Sequence, residues 1–142
     1  MRNAILILLL VTFCSCHRSD IPRDSQNKTL KVRVYETSPS DGRVISAGGA
    51  SVPARKIELG DISSVVASPG SGGHLVEEWC SITQVSSSGV QVEVHLSYAD
   101  DYSTAKPIRK PFEQKILVPY DRPVNVNLLQ NILFEAHFEL NQ

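Results

Sequence analysis

The stretch Gly89-Val-Gln-Val-Glu-Val-His-Leu-Ser-Tyr98 decides how the rest of the chain is read. Val90, Val92, Val94, Leu96 and Tyr98 alternate with Gln91, Glu93, His95 and Ser97. Successive side chains of an extended chain point to opposite faces, so the alternation predicts a strand with one buried and one wet face. The β-branched valines favour that pleated, half-buried setting. One core side per strand is the habit of antiparallel sheets.

The flanking segments repeat the pattern. Residues 74–85 read as a longer strand, and Ser86-Ser-Ser-Gly89 is a tight connection that makes the two a hairpin. Leu75, Trp79 and Val85 compete there with Val76, Cys80 and Ile82 for the inward face. Two unclean alternations predict a bulge near Glu78 or burial on both faces. Residues 99–110 are a polar excursion. Residues 112–120 are a strand with Phe112, Ile116 and Val118 inward, ended by Pro119. Residues 124–128 alternate again. Residues 132–140 close the chain, with Ile132, Phe134, Ala136, Phe138 and Leu140 on one side.

Upstream, Leu30, Val32 and Val34 alternate with Lys31, Arg33 and Tyr35 in a first strand. Pro39 and Asp41-Gly42 make residues 37–42 a turn, and residues 43–46 a short return. Ala47-Gly-Gly-Ala50 loosens the chain. Residues 54–59 suggest a strand with Ile57 and Leu59 inward. Residues 61–67 fit either a helical turn capped by Asp61 or a short strand. The glycines of residues 68–73 lack the Lys-Ser/Thr ending of a phosphate loop, so they read as a surface loop. The sum is an all-β domain: an antiparallel β-sandwich or open barrel of about seven strands, over residues 30–142.

Composition bounds the function classes. The chain has 142 residues, 42% of them hydrophobic, and a formal charge of −1. That supports one globular domain. With Lys and Arg scattered among Asp and Glu there is no basic stripe, so no nucleic acid partner is expected.

The N-terminus points to a compartment. Met1-Arg-Asn3 is short and basic, and residues 4–13 are apolar apart from Thr12. Ten residues of helix span roughly 15 Å, half a bilayer core of about 30 Å, so a signal peptide is expected rather than a membrane span. Its end, Phe13-Cys-Ser-Cys16, resembles the lipobox of bacterial lipoproteins. With Cys16 as the lipidated residue, Ser15 fills the small position before it and Phe13 the apolar one. With Cys14, Phe13 would stand where small residues are required. The Cys16 register is favoured, and an ordinary cleaved signal is the alternative. The resemblance implies a bacterial source, a signal peptide over residues 1–15, and a lipidated N-terminus with a polar tether over residues 16–29. His17, not Asp, follows the Cys, which implies an outer-membrane location facing the periplasm. Cys80 is then the one remaining thiol, and its apolar neighbours make it a buried hydrophobe.

A second resemblance concerns the C-terminal strands. Phe112-Glu-Gln-Lys-Ile-Leu-Val-Pro-Tyr-Asp121 and the alternating strand after it weakly resemble the closing strands of bacterial secretins. Arg122 stands where that family has Gly, and its Gly-Gly-Leu ending is absent. The likeness reads as convergent strand-and-turn patterning and carries no function.

Candidate site residues are few. His95 and His137 both face outward on strands, and if those strands pair they would meet beside Glu93, Glu135 or Glu139. Imidazole and carboxylate are ordinary zinc ligands, so His95 and His137 are the candidate ligand or metal residues, although no metal-site spacing accompanies them. Asp100-Asp101 lack a complete calcium-loop motif. No Gly-x-Ser-x-Gly elbow is present, and a site around Ser71, His74 and Glu77 is the weaker catalytic option. The expectation is a non-enzymatic cell-envelope lipoprotein without a cofactor. It is expected to touch the membrane through its lipid and another envelope protein through its β domain; the alternative is a ligand- or metal-binding periplasmic module.

Overall fold

A computed structural model describes residues 20–66, 74–99 and 109–142, and among them the chain forms eight strands. They are β1 (Lys28–Thr37), β2 (Val44–Pro53), β3 (Gly60–Val66), β4 (Leu75–Val85), β5 (Gly89–Ala99), β6 (Arg109–Pro119), β7 (Val124–Leu129) and β8 (Ile132–Leu140). They form two antiparallel four-stranded sheets with orders β2-β1-β8-β7 and β3-β4-β5-β6. Every hydrogen-bonded pair is consecutive in sequence except β1 with β8. The chain therefore runs round a ring, crossing between sheets at β2–β3 and β6–β7. That is the order of an up-and-down barrel flattened into a sandwich, rather than a Greek key.

The alternation of β5 builds one wall of the core. Val90, Val92 and Val94 are fully buried and Leu96 nearly so. Burying each such side chain contributes about 1.5–3 kcal/mol. Ile82 and Cys80 of β4 and Ile116 and Val118 of β6 continue that wall. Leu30, Val32 and Val34 of β1 and Ile132, Phe134 and Ala136 of β8 form the wall opposite. The ambiguity in β4 resolves as a bulge: register shifts between Leu75 and Glu77, and Leu75 and Val76 are both buried.

Several expectations change. β2 runs unbroken through Ala47–Ala50, because pairing with β1 supplies its hydrogen bonds and an edge strand tolerates Gly. A Cβ on Gly49 would sit inside contact distance of the Val32 carbonyl oxygen, so the close approach uses the missing side chain. Residues 54–59 are not a strand. A 3-10 turn at Ala54–Lys56 shifts the phase, so Ala54 is buried, Ile57 packs on the core and Leu59 is 63% exposed. Asp61 lies in strand β3 and accepts a 2.8 Å hydrogen bond from Ser81 Oγ across to β4, instead of capping a helix.

Residues 20–29, assigned to the tether from sequence, are docked on the domain. Ile21 joins the core, residues Arg23–Ser25 form a 3-10 turn with Ser25 buried, and Lys28 Nζ donates to the Tyr120 carbonyl at 2.8 Å. The signal segment and Cys16 lie outside the described residues, as do Ser71 and Asp100-Asp101.

Two charged residues among those described sit on inward faces, Glu36 and Glu78. Glu36 ends the buried row of β1 and is 1% exposed. Its carboxylate accepts backbone N–H bonds from His74 at 2.7 Å and Leu75 at 2.9 Å, and lies 3.1 Å from His74 Nδ1. It joins the end of β1 in one sheet to the start of β4 in the other. His74, Tyr98 and residues 129–132 line a cavity of about 330 Å³ beside it.

Candidate functional site

β5 lies between β4 and β6, so its outward residues are flanked on both sides. The β4 register sets Trp79 opposite His95 and Ser81 opposite Glu93. The β6 register sets Glu113 opposite His95 and Lys115 opposite Glu93. Two rows of side chains thus cross the middle of the outer face: Trp79–His95–Glu113 and Ser81–Glu93–Lys115.

The His95 ring stacks on the Trp79 indole with centroids 4.7 Å apart and planes 5° from parallel. This cross-strand aromatic contact leaves the His95 side chain only 17% exposed. Each ring nitrogen faces a carboxylate. Nε2 is 3.7 Å from Glu93 Oε1, and Nδ1 is 3.3 Å from Glu113 Oε1. Nδ1 is shielded from water and makes no hydrogen bond, although the Glu113 oxygen is 3.3 Å away. Lys115 Nζ stands 3.8 Å from the other Glu93 oxygen. At the margin, Arg109 meets Glu77 at 3.5 Å. One ligand atom from each of Glu93, His95 and Glu113 lies within 4.8 Å of the others, the one such cluster of three or more among the described residues.

His137 is not part of this site. It lies on β8 and His95 on β5, in different sheets, and both point outward, so the two rings occupy opposite faces of the sandwich. The condition for the two to meet, pairing of their strands, is not fulfilled because the β5 neighbours are β4 and β6. His137 instead lines a groove of about 560 Å³ with Lys31, Arg33, Gly49, Glu135 and Glu139. The carboxylates there are already engaged. Tyr35 Oη donates to Glu135 at 2.5 Å, which raises the phenol pKa, and Lys31 lies 3.8 Å from Glu139.

The remaining catalytic candidates are committed elsewhere: His74 contacts Glu36 and Glu77 contacts Arg109. Cys80 is fully buried, and burial together with the nearby Glu78 carboxyl pushes its thiol up to about 12. Such a thiol is an inert core residue. Glu78 is itself 1% exposed; burial raises its pKa, Ser63 Oγ donates to one oxygen at 3.2 Å, and the other has no partner.

Sequence reasoning singled out Glu93 and His95 but missed Glu113 and Trp79 as their neighbours. For Glu113 the signal was the β5–β6 register, which the long polar excursion hides; for Trp79 it was the β4–β5 hairpin register, displaced by the shift between Ile82 and Gln84. The chain matches no protein-family model, no curated protein and no solved structure.

Proposed function

We propose that this protein is a non-enzymatic lipoprotein of the bacterial cell envelope, anchored through Cys16, whose β-sandwich docks another envelope protein on the β4–β5–β6 face. The observation that carries the docking reading is the Trp79–His95 stack at the centre of that face. A stacked aromatic pair surrounded by charged side chains, here Glu77, Arg109, Glu93, Lys115 and Glu113, has the anatomy of an interface hot spot and its rim. The lipid places such a face near proteins of the periplasmic side of the outer membrane.

Two experiments test this. Globomycin treatment is expected to leave an unprocessed precursor, and mass analysis of the mature N-terminus to show a lipidated Cys16. A photo-crosslinking residue at position 97, beside the stack, is expected to capture a defined protein in living cells that the same residue at position 137 does not. Equal capture from both faces, or none from position 97, refutes the docking face.

A further inference from the structure

We propose that His95, Glu113 and Glu93 bind a divalent transition-metal ion of the zinc class. The inference goes beyond the docking reading and stands without it, because binding a metal needs no protein partner.

The chemistry fits first. One imidazole and two carboxylates are zinc ligands, and the nitrogen favours zinc-class ions over calcium or magnesium. The spacing fits next. Bonds of about 2.0–2.1 Å in tetrahedral array put ligand atoms about 3.4 Å apart. His95 Nδ1 and Glu113 Oε1 are already 3.3 Å apart. Glu93 Oε1 stands 3.7 Å from the other ring nitrogen, Nε2, and one ligand atom from each of the three residues lies within 4.8 Å of the others, so Glu93 completes the set by turning its carboxylate toward Nδ1.

His95 Nδ1 is an independent sign. It is shielded from water and makes no hydrogen bond, although a carboxylate oxygen stands beside it. Leaving a polar atom buried and unpaired costs free energy. A metal between Nδ1 and Glu113 would give that lone pair a partner and separate two groups that now meet without a hydrogen bond. Trp79 stacks on the ring face, while metal coordination lies in the ring plane, so the indole fixes the ring without blocking the ion. All three ligands stand on strands, which hold such a constellation more tightly than loops do. Lys115, close to Glu93, repels a cation and sets the affinity below that of a structural zinc site. Three protein ligands leave the fourth tetrahedral position to water or to a side chain of a docked partner.

The test is calorimetric titration of the mature chain with zinc chloride in metal-free buffer, with Trp79, the single tryptophan, as a fluorescent reporter. One equivalent is expected to bind and to alter Trp79 emission. Loss of a ligand costs at least about tenfold in affinity, so His95→Gln and Glu113→Gln are each expected to weaken binding by that much. His137→Gln is expected to change nothing. Glu113 is 65% exposed, so its variant keeps the fold and the test stays decisive. No binding at millimolar zinc overturns the proposal. So does binding that survives both substitutions, or that His137→Gln weakens equally.

Discussion

Replacing Glu36 by Ala should loosen the joint between the two sheets. Glu36 is 1% exposed and accepts the backbone N–H of His74 at 2.7 Å and of Leu75 at 2.9 Å. Alanine removes the carboxylate that accepts both bonds. A hydrogen bond to a charged group contributes about 1.5–3 kcal/mol. The Leu75 bond is buried and the His74 bond is reached by water, so the sum is about 2–4 kcal/mol. Against a total stability of about 5–15 kcal/mol, that is a large share. At about 3–5 °C per kcal/mol for a domain of this size, the melting temperature falls by roughly 10 °C. Urea unfolding followed by Trp79 fluorescence reads the loss as a lower midpoint at unchanged slope. Hydrogen exchange at the His74 and Leu75 amides should accelerate with it. His74→Ala is the control: its side chain is 43% exposed, so losing the 3.1 Å contact to Glu36 costs less than about 1 kcal/mol. If Glu36→Ala stays within experimental error of the parent, or His74→Ala costs as much, the carboxylate does not pin the sheets.

Three further outcomes follow from the core and the β4–β5 turn. Burial raises the Glu78 pKa, so the folded state holds its proton more tightly than the unfolded state. Stability is then unaffected below the unfolded pKa and declines as pH rises through the folded one. Glu78→Met should gain about 1–3 kcal/mol in neutral urea titrations, with no gain in acid; a loss at neutral pH would contradict this. Cys80, fully buried and with its thiol pushed up to about 12, should resist an aromatic disulfide reagent at pH 8 until the protein is unfolded. Rapid labelling of the native chain would show that the core opens locally. Gly89→Ala places a Cβ inside contact distance of the Val118 carbonyl oxygen, at a φ of +158°. It should cost about 1–3 kcal/mol by thermal melting, and a neutral result would mean that the β5–β6 pairing is looser than the geometry implies.

How much was legible depends on the range of the interaction involved. Period-two alternation is a local property, and it placed β7 and placed β1, β5, β6 and β8 with their inward faces: Leu30 to Val34, Val90 to Leu96, Ile116 with Val118, and Ile132 to Ala136. It also placed the β4–β5 hairpin, and its broken alternation offered a bulge near Glu78 or burial on both faces where register shifts fall between Leu75 and Glu77 and between Ile82 and Gln84. Local signals misled where pairing outweighed propensity. Glycines did not break β2, because β1 completes its hydrogen bonds. Leu59 is exposed because the short turn before it shifts the phase.

The candidate site divides along the same line. Glu93 and His95 share an outward face because side chains alternate along β5, and that is visible in nine residues of sequence. Their meeting with Trp79, Glu113 and Lys115 is a matter of register between strands, with partners up to 22 residues apart in sequence. Sheet membership is more remote still. Whether His137 faces His95 depends on β8 pairing with β1, more than 100 residues earlier, rather than with β5. The chain alone determined which side chains turn inward, since backbone geometry sets that residue by residue. Only the tertiary structure decided which outward side chains become neighbours, since hydrogen-bond register and sheet order are set by the packing of the whole core.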